Sequence, residues 1–476
     1  MIAPLDTAAR GRDHTFSAMM SRAMRARGLL AAFCASCILL GCEFDAGRPN
    51  VVLVVIDTLR ADKLGAYGFP EATSPAFDAL AERGVLFSYV LAPSSWTRTS
   101  IASLITSLHP RSLGILHEYH DALGQRFVTL AEVLWAGGYR TLGATANPNI
   151  NSSYHFDQGF DEYSDSGVIF PWMLPEPGAQ SSENVALPAG RDLYRALVAR
   201  IAASEQRPFY VQVNVMEVHE HIQMRRRPEL YARTRGQQGY AELFQGHDDA
   251  DYLRSVRQAT DEVAVFIEEV AALPGGCDTL FIVTSDHGEG LGDHPSVPNA
   301  DRHGFVLYES QLRVPLLFYH PGGELAAGLV VTQPVRLLDV MPSVLDFVGL
   351  EGPQEMEGRS LIPLARGDGE VELPGTFFAE TRFKRRNKVA AYTSDWKYIE
   401  NREAAPRLPP RALHRVGVSE DGARTDVAAE HPEVVERLAA RLRAWEEAHP
   451  VAESTRPAVA PSPLEQRQLR ELGYLD

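Results

Sequence analysis

Four mainly apolar runs, each followed by a polar residue, constrain the fold of this chain more than any other feature of its sequence. The runs occupy residues 51–56, 209–218, 280–284 and 314–319. Apolar runs of this length are typical of strands buried on both faces, as in a parallel sheet. Helical patterns lie between them, at 73–83, 99–107, 129–137, 192–204 and 252–273. We therefore predict an α/β fold, a doubly wound and mostly parallel sheet flanked by helices.

The polar tips of these runs are candidate functional residues. Asp57 follows the first run, His219 the second, and Asp286 and His287 the third. Ligands of open α/β sheets bind at the carboxyl ends of the strands, so we expect these side chains to converge on one crevice. Two unshielded carboxylates repel unless a cation lies between them, and an imidazole is a common partner ligand. The sequence predicts a site for a divalent metal. The alternative is a turn in which Asp286 caps a helix and His287 is solvated, with Asp57 as a turn-forming residue before Thr58.

A hydroxyl-rich segment, residues 93–104, lies where a loop enters a predicted helix. The N-terminus of a helix presents N–H groups and the positive end of a dipole, which suit an anionic oxygen. A Thr or Ser there can be a nucleophile if a metal lowers its hydroxyl pKa, or it can simply cap the helix. On the residues alone, both interpretations stay open.

The pattern of the chain changes near residue 375. Short strand-like segments follow at 376–381, 389–392 and 396–399, and an amphipathic helix at 430–449. We predict a catalytic domain over 48–375 and a smaller α+β C-terminal subdomain over 376–450. We predict a linker and tail over residues 451–476.

Residues 1–41 have the pattern of an export signal. Three arginines precede the uncharged run 28–40, which is too short to span a bilayer comfortably. The run ends in Leu-Leu-Gly-Cys at Cys42, which resembles a bacterial lipobox. We predict a lipoprotein-type signal peptide, a lipid on Cys42 as the only membrane attachment, and a location in the periplasm or on the outer surface. An ordinary secretory signal or an uncleaved anchor is the alternative.

The net charge argues against one class of partner. The chain of 476 residues carries a formal charge of −16 at pH 7. A general nucleic-acid binder needs a basic face to neutralise phosphates, so we predict no nucleic-acid partner. A local basic pocket for one anion is compatible with this charge.

Several motifs, in order along the chain, resemble those of the sulfatase family in the alkaline phosphatase superfamily. Segment 49–62 is similar to the family's opening strand, and ATSPAFDALAERGV at 72–85 to its "TPNLDALAARGV" helix. SLITSLHP at 103–110 resembles its "SLLTGLYP", and SDHGE at 285–289 matches the family motif. HGFVLYE at 303–309 and RVPL at 313–316 resemble "HG…LYE…RVPL". The last residues, 469–475, are similar to a common ending of bacterial members.

The resemblance covers roughly residues 48–476. It implies an alkaline phosphatase-like fold and a metal-dependent hydrolase of sulfate or phosphate esters, in a bacterial sulfatase-like lipoprotein. The substrate it implies is a sulfated or phosphorylated small molecule or glycan. The oligomeric state is not predicted.

The family's metal-ligand positions fall on Asp57, Asp286 and His287, which implies one divalent ion. Many members have a second Asp where this chain has Thr58, and Asn where it has His287. Both departures resemble phosphotransferase-like relatives that hold manganese or zinc, rather than calcium-binding arylsulfatases. Calcium, which prefers several carboxylates, suits this set less well but stays an alternative.

The nucleophile is where this chain departs most from the family. Typical sulfatases carry Cys or Ser in C/S-x-P-x-R, and that residue is oxidised to formylglycine. The family spacing from Thr106 places Thr97 at this position, as nucleophile and as a further metal ligand. A rival register takes Ser94, with Arg98 as the motif Arg. Because Thr cannot become formylglycine, we expect a metal-activated Thr hydroxyl or no covalent catalysis, which leaves phosphoester chemistry open beside sulfatase activity.

Three further residues receive catalytic roles from the resemblance. His219 lies where the family has a "D-P-H" histidine near the leaving group, and is a candidate general acid. His303 resembles a histidine that contacts the anionic oxygens of the ester, and Arg98 is a candidate to bind a substrate oxygen. Their plain alternatives are a strand-end histidine, a surface loop residue and a solvated arginine.

Two rival functions remain beside the hydrolase. One is a transferase that moves a phospho-headgroup onto a lipid or glycan through phospho-Thr97. Relatives of that kind usually have several transmembrane helices, which this sequence does not show. The other is a non-catalytic binding lipoprotein with the sulfatase fold. Retention of all three metal residues argues against the second.

Overall fold

The computed structural model describes residues 47–116, 121–165, 189–203, 207–221, 240, 242–403 and 408–457, and the single residues 463, 466 and 469. The predicted signal peptide, Cys42 and most of the tail lie outside this part of the chain. Within the described ranges, no helix combines the length and apolar character that crossing a membrane would require.

Strands and helices alternate over most of the chain. The strands are β1 (Asn50–Ile56), β2 (Val85–Phe87), β3 (Val90–Leu91), β4 (Arg140–Thr145), β5 (Glu162–Ser164), β6 (Phe209–Val215), β7 (Thr279–Thr284), β8 (Arg313–Val314), β9 (Leu316–Tyr319), β10 (Leu329–Val331), β11 (Val335–Arg336), β12 (Phe377–Thr381), β13 (Lys388–Tyr392), β14 (Trp396–Asn401) and β15 (Arg411–Arg415). The helices are α1 (Pro75–Ala81), α2 (Thr97–Thr106), α3 (Pro110–Leu113), α4 (Leu130–Ala136), α5 (Gly190–Ala202), α6 (Ala250–Ala271), α7 (Glu309–Leu312), α8 (Val340–Val348), α9 (Ile362–Arg366) and α10 (Pro432–Ala448).

The central sheet has eight strands in the order β10-β2-β9-β7-β1-β6-β4-β5. All neighbours in it are parallel except β9, which runs antiparallel to both β2 and β7. The prediction of a mostly parallel sheet flanked by helices is confirmed. A separate three-stranded sheet has the order β11-β3-β8.

Strand β1 occupies the middle of the sheet, and this position explains its composition. Val51 pairs with Tyr210 of β6 on one side and with Leu280 of β7 on the other. Odd-numbered residues of β1 pack into one hydrophobic core and even-numbered residues into a second. Because both faces are covered, the run shows no apolar–polar alternation.

Two predicted strands end differently in the structure. The run 209–218 forms a strand only to Val215, so the chain turns before it reaches His219. The run 314–319 is divided at Pro315 into β8 and β9. Proline has no N–H to donate to a ladder, which explains the division. Helix α2 begins at Thr97, two residues earlier than predicted.

The C-terminal part contains a four-stranded antiparallel sheet, β12-β13-β14-β15, and helix α10. One face of this sheet packs Val389, Tyr398 and Leu413 against Leu438 and Leu442 of α10. Its other face joins the main core through residues such as Ala390 and Ile399. The predicted α+β character of this part is confirmed, whereas the domain boundaries stay predictions.

Candidate active site

The carboxyl ends of β1 and β7 bring three predicted metal ligands together. Asp57 directly follows β1, and Asp286 lies two residues beyond β7. Because these neighbouring strands are parallel, both acids emerge at the same edge of the sheet. One ligand atom each from Asp57, Asp286 and His287 can be chosen so that all three lie within 4.8 Å of one another. The three side chains are completely buried.

The atoms that face one another in this cluster suit a metal ion. Asp57 Oδ1 and Asp286 Oδ2 are buried and have no hydrogen-bond partner among the described residues. They lie 3.9 Å and 3.4 Å from His287 Nε2. Burial, and then the charge of Asp286, raises the pKa of Asp57 well above its usual value. Two orphaned carboxylate oxygens beside an imidazole nitrogen fit a divalent cation better than any arrangement of protein hydrogen bonds.

The tautomer of His287 also fits a metal. Its Nδ1 lies 2.9 Å from the carbonyl oxygen of Gly288, and a carbonyl only accepts, so Nδ1 donates. Burial lowers the pKa of His287, so its imidazole is neutral. The lone pair is therefore on Nε2, the nitrogen that faces the two carboxylates.

The turn that carries His287 requires glycine at two positions. A Cβ atom on Gly288 would collide with the carbonyl oxygen of Ser310, and one on Gly290 with that of Ala300. Backbone therefore passes close to backbone on both sides of Glu289. The conformation of the SDHGE turn is set by this close packing.

Thr58 has a strained backbone immediately after Asp57. Its φ of 59° lies in the left-handed region, where a β-branched residue is a genuine outlier. Its N–H donates to Asp286 Oδ1 at 3.3 Å, and its carbonyl oxygen accepts from the Tyr252 hydroxyl at 2.8 Å. These contacts hold the Asp57–Thr58 turn against the Asp286 turn.

Thr97 hydrogen-bonds within the Asp57–Asp286–His287 cluster, whereas Ser94 does not. Thr97 Oγ1 donates to Asp57 Oδ2 at 3.3 Å and lies 3.2 Å from His287 Nε2. Ser94 Oγ is buried and has no hydrogen-bond partner among the described residues. Of the two registers left open by the sequence, the one centred on Thr97 places a hydroxyl in contact with Asp57 and His287, and the identity of the nucleophile stays a prediction.

Asn147 is a site residue that the sequence did not reveal. Its Nδ2 donates to Asp57 Oδ2 at 2.6 Å and lies 3.4 Å from Thr97 Oγ1. Its Oδ1 accepts from the N–H of Asn149 at 2.8 Å, which fixes the direction of the amide. Asn147 follows β4 by two residues, at the same sheet edge as Asp57. Strand β4 begins and ends with polar residues and does not stand out as an apolar run, so the sequence pattern did not point to Asn147.

His219 and His303 lie next to the Asp57–Asp286–His287 cluster. The centroid of the His303 ring is 4.8 Å from that of His287 and 5.0 Å from that of His219. Burial, and then the neighbouring His303, holds the pKa of His219 well below its usual value. The structure therefore brings both predicted histidines to the site, with His219 neutral at neutral pH.

Glu289 is a charged neighbour of these histidines. Its Oε2 lies 3.0 Å from His303 Nδ1. Burial by itself would raise the pKa of Glu289, but the charge of His303 and this hydrogen bond lower it to about 2. The carboxylate is therefore ionised at neutral pH.

The guanidinium of Arg98 is engaged by protein groups. Its Nε donates to the carbonyl oxygen of Asn149 at 2.9 Å, and its Nη1 to that of Asp121 at 3.1 Å. The guanidinium carbon lies 3.4 Å from the centroid of the Tyr154 ring. Arg98 is fully buried, so the solvated alternative is excluded in the structure, and its substrate role stays a prediction.

Solved structures share this fold. The phosphonate monoester hydrolase of Agrobacterium radiobacter superposes with a TM-score of 0.64 at 20% identity, covering 84% of this chain and 96% of that one. A protein in complex with its substrate D-glucosamine-2-N,6-O-disulfate gives a TM-score of 0.64 at 15% identity, covering 84% and 98%. Identities this low establish likeness of fold.

Sequence relatives cover a similar share of the chain. Human arylsulfatase A is 27% identical over 383 residues, which are 70% of this chain and 71% of that protein. The ulvan-active sulfatase of Formosa agariphila is 24% identical over 355 residues, 67% of this chain and 65% of its own length. The chain therefore spans slightly less than two thirds of that relative.

Family models match two consecutive parts of the chain. The model for the C-terminal part of N-sulphoglucosamine sulphohydrolase matches residues 302–400. The sulfatase model matches residues 49–350, more than half of the chain, and this range contains the Asp57–Asp286–His287 cluster and Thr97. The chain belongs to the sulfatase family.

Proposed function

We propose that this chain is a metal-dependent hydrolase of sulfate esters that uses the Thr97 hydroxyl as its nucleophile. One observation carries the proposal: the buried, unpartnered Asp57 Oδ1 and Asp286 Oδ2 face His287 Nε2, and Thr97 Oγ1 lies 3.2 Å from that nitrogen. Buried carboxylates without partners are costly unless a cation neutralises them. A divalent cation bound next to the Thr97 hydroxyl would neutralise these carboxylates and would activate the hydroxyl as a nucleophile.

One divalent ion would be held by Asp57, Asp286 and His287, with Thr97 Oγ1 as a further ligand. When bound, such an ion neutralises charge on the ester oxygens and lowers the pKa of a neighbouring hydroxyl. The mixture of carboxylate and imidazole donors suits manganese or zinc better than calcium, which prefers oxygen ligands throughout. We therefore keep the preference predicted from the sequence, which is manganese or zinc before calcium.

The residues around Thr97 orient its hydroxyl as a nucleophile. Its hydroxyl donates to Asp57 Oδ2, which is the atom placed to receive the proton. The amide of Asn147 holds that same oxygen and limits the rotation of the carboxylate. Thr97 opens α2, and no side chain caps this helix at Trp96, so the first-turn N–H groups are suited to the oxygens of a sulfuryl or phosphoryl group.

The reaction that follows is an in-line displacement. Thr97 Oγ forms a bond to sulfur or phosphorus, the bond to the ester oxygen breaks, and that oxygen leaves with a proton. Water then attacks the same centre and restores Thr97. His219 and His303 are the two candidates to supply the proton to the leaving oxygen. Because burial lowers the pKa of His219, its ring is neutral at neutral pH and carries no extra proton for the leaving oxygen.

A second candidate is hydrolysis of phosphate or phosphonate esters. It is favoured by Thr97 at the position where typical sulfatases carry an oxidisable Cys or Ser. The shared fold with a phosphonate monoester hydrolase supports the same chemistry. The alternative transferase would differ from the hydrolase only in the molecule that accepts the group from Thr97. The alternative non-catalytic binding protein would turn over no substrate.

The substrate class we propose is a sulfated or phosphorylated small molecule or glycan. A protein of the same fold is known in complex with its substrate D-glucosamine-2-N,6-O-disulfate. We also propose export and a lipid on Cys42, on the signal pattern of the first 41 residues. Cys42→Ala should move the protein from the membrane to the soluble fraction.

Metal analysis and a substrate panel test the proposed function. Purified protein should contain about one divalent ion per chain and turn over an aryl sulfate, an aryl phosphodiester or an aryl phosphonate. Thr97→Ala should lower kcat at least about 10³-fold, whereas Thr99→Ala, a buried threonine two residues further along α2, should not. A metal-free and inert protein would favour the binding module.

Two results would change only the assignment of the nucleophile and leave the rest of the proposed function in place. Unchanged turnover in Thr97→Ala, with loss in Ser94→Ala, would restore the rival register. Unchanged turnover in both variants would indicate direct attack by water. Transfer of the group to an added alcohol in preference to water would favour the transferase.

A further inference from the structure

Lys397, the second residue of β14, is a buried cation that the proposed chemistry does not use. Its Nζ lies 2.9 Å from Glu309 Oε1 and 2.8 Å from Glu420 Oε1. Glu420 is buried as well, whereas 21% of the Glu309 side chain is exposed. A buried cluster of charges is weak evidence for a contribution to stability, because desolvation offsets much of the attraction. The contacts of the two carboxylates indicate a role in placing other groups.

Both carboxylates of this cluster hold the short helix α7. Glu309 is the first residue of α7, and its N–H donates to Glu420 Oε2 at 2.6 Å. The Tyr89 hydroxyl lies 2.9 Å from Glu309 Oε1 and 3.0 Å from Oε2. A helix of four residues has little stability of its own, so contacts of this kind decide where it lies. Because Lys397 bridges the two carboxylates, it fixes the position of α7.

The backbone of α7 packs against the turn that carries His287, a proposed metal ligand. The carbonyl oxygen of Gln311 accepts from the N–H of Gly288 at 2.9 Å. The carbonyl oxygen of Ser310 is so near Gly288 that an added Cβ atom would lie 2.1 Å from it. The close packing prevents the turn from moving towards α7, and the hydrogen bond prevents it from moving away. A shift of α7 would therefore move the turn of His287.

Two side chains of α7 extend these connections. Gln311 Nε2 donates to the carbonyl oxygen of Arg302 at 2.6 Å, in the loop that leads into α7. His294 Nε2 lies 2.7 Å from the Ser310 hydroxyl oxygen, and His294 Nδ1 donates to the carbonyl oxygen of Glu420. Helix α7 is therefore connected with the C-terminal part of the chain on one side and with the turns of the site on the other.

We propose that Lys397 is a positioning residue for the metal site, because it fixes α7 through its two carboxylate partners and α7 holds the turn of His287. This inference rests on the proposed function, since it needs a divalent ion at that site. Replacing a residue that orients a metal ligand typically weakens metal binding by about 10–100-fold. The orientation acts here through the backbone, and it adds to the hydrogen bond between His287 Nδ1 and the carbonyl oxygen of Gly288.

Lys397→Met tests the proposal, because it removes the charge and keeps an unbranched side chain. Chelated protein is titrated with Mn²⁺ and with Zn²⁺ in a calorimeter, at a temperature where the variant is folded. We expect the Kd of the ion to rise about 10–100-fold. Glu309→Ala cuts the same connection at α7 and leaves Lys397 paired with Glu420. It should also raise the Kd, by at least about fivefold, and it decides the question if Lys397→Met does not fold.

Lys388→Met is the matched control. Lys388 is an equally buried lysine of the neighbouring strand β13, and its partners, Glu403 and Asn401, lie outside α7. Its loss leaves Glu403 without its cation, so Tm should fall, while the Kd of the ion should stay within about threefold of the wild type. An equal rise in Kd for Lys388→Met and Lys397→Met would show general loosening of the fold and overturn the proposal. An unchanged Kd in Lys397→Met or in Glu309→Ala would overturn it as well.

The titration also separates this inference from the proposed function, because the Kd is measured without any ester. If the wild type binds neither Mn²⁺ nor Zn²⁺, the proposed function fails and the role of Lys397 fails with it. If the wild type binds the ion and Thr97→Ala abolishes turnover, while Lys397→Met and Glu309→Ala keep the wild-type Kd, only the inference about Lys397 fails.

Discussion

Asp286→Asn should make the metal-free protein more stable and at the same time abolish its stabilisation by a divalent ion. Asn has the size of Asp, and its Oδ1 can still accept from the N–H groups of Thr58 and His287. Its NH₂ group replaces the unpartnered Oδ2, which lies 3.4 Å from His287 Nε2. The pair of like charges on Asp57 and Asp286 is thus replaced by one charged and one neutral side chain.

The size of the gain follows from the spacing of the charges. Ligand atoms of Asp57 and Asp286 lie within 4.8 Å, and two unit charges at that distance repel by about 3.5 kcal/mol at an effective dielectric constant of about 20. The wild type relieves part of this by protonation of Asp57, whose pKa is raised by burial and by Asp286. We therefore expect a gain of about 2–3 kcal/mol at neutral pH.

The assay is thermal unfolding after chelation and dialysis, with and without added manganese, zinc or calcium. An unfolding entropy of about 2.1 cal/mol/K per residue gives about 1 kcal/mol/K for this chain, so Tm of the metal-free variant should rise by about 2–3 °C. An ion at about 100 times its Kd stabilises the folded wild type by about 2.7 kcal/mol, or about 3 °C. The variant should show no such shift.

Asp339→Asn is the matched control, because Asp339 is also fully buried but pairs with Arg336 at 2.7 Å. Removing its charge leaves Arg336 unpaired, so Tm should fall with and without metal. A fall in Tm for metal-free Asp286→Asn, or a metal-induced rise equal to that of the wild type, would refute the reasoning about the site.

Two further predictions concern the same cluster. Asn147→Ala removes the 2.6 Å hydrogen bond to Asp57 and should lower kcat about 10²-fold with little change in KM, which steady-state kinetics would measure; an unchanged kcat would remove Asn147 from the site chemistry. The raised pKa of Asp57 means that the folded, metal-free protein binds a proton on this carboxyl more tightly than the unfolded chain does. Protonation of Asp57 therefore stabilises the folded state at low pH, and this stabilisation is lost as pH rises through the raised pKa. Urea unfolding should therefore show that chelated wild type gains stability relative to Asp57→Asn between pH 7 and pH 5, and an unchanged difference would contradict the assignment.

The sequence by itself determined the class of fold and the set of candidate metal ligands. Apolar runs such as that of β1 predict strands covered on both faces, and acids directly after such runs lie at the carboxyl edge of a parallel sheet. Asp57 and Asp286 could be paired in this way although 229 positions separate them, because the argument needs only that their strands are parallel neighbours. Motif order along the chain also indicated the family, which the sulfatase model confirms.

Only the tertiary structure decided which side chains meet around this cluster. It brings Thr97 rather than Ser94 to Asp57, adds Asn147 from β4, engages Arg98 with backbone carbonyls and joins Glu289 to His303. None of these contacts has a local signal, since each depends on where a loop crosses the sheet edge and which rotamer its packing permits. Periodicity reports the burial of an element along its own length, whereas contacts between separate loops arise from packing across the fold.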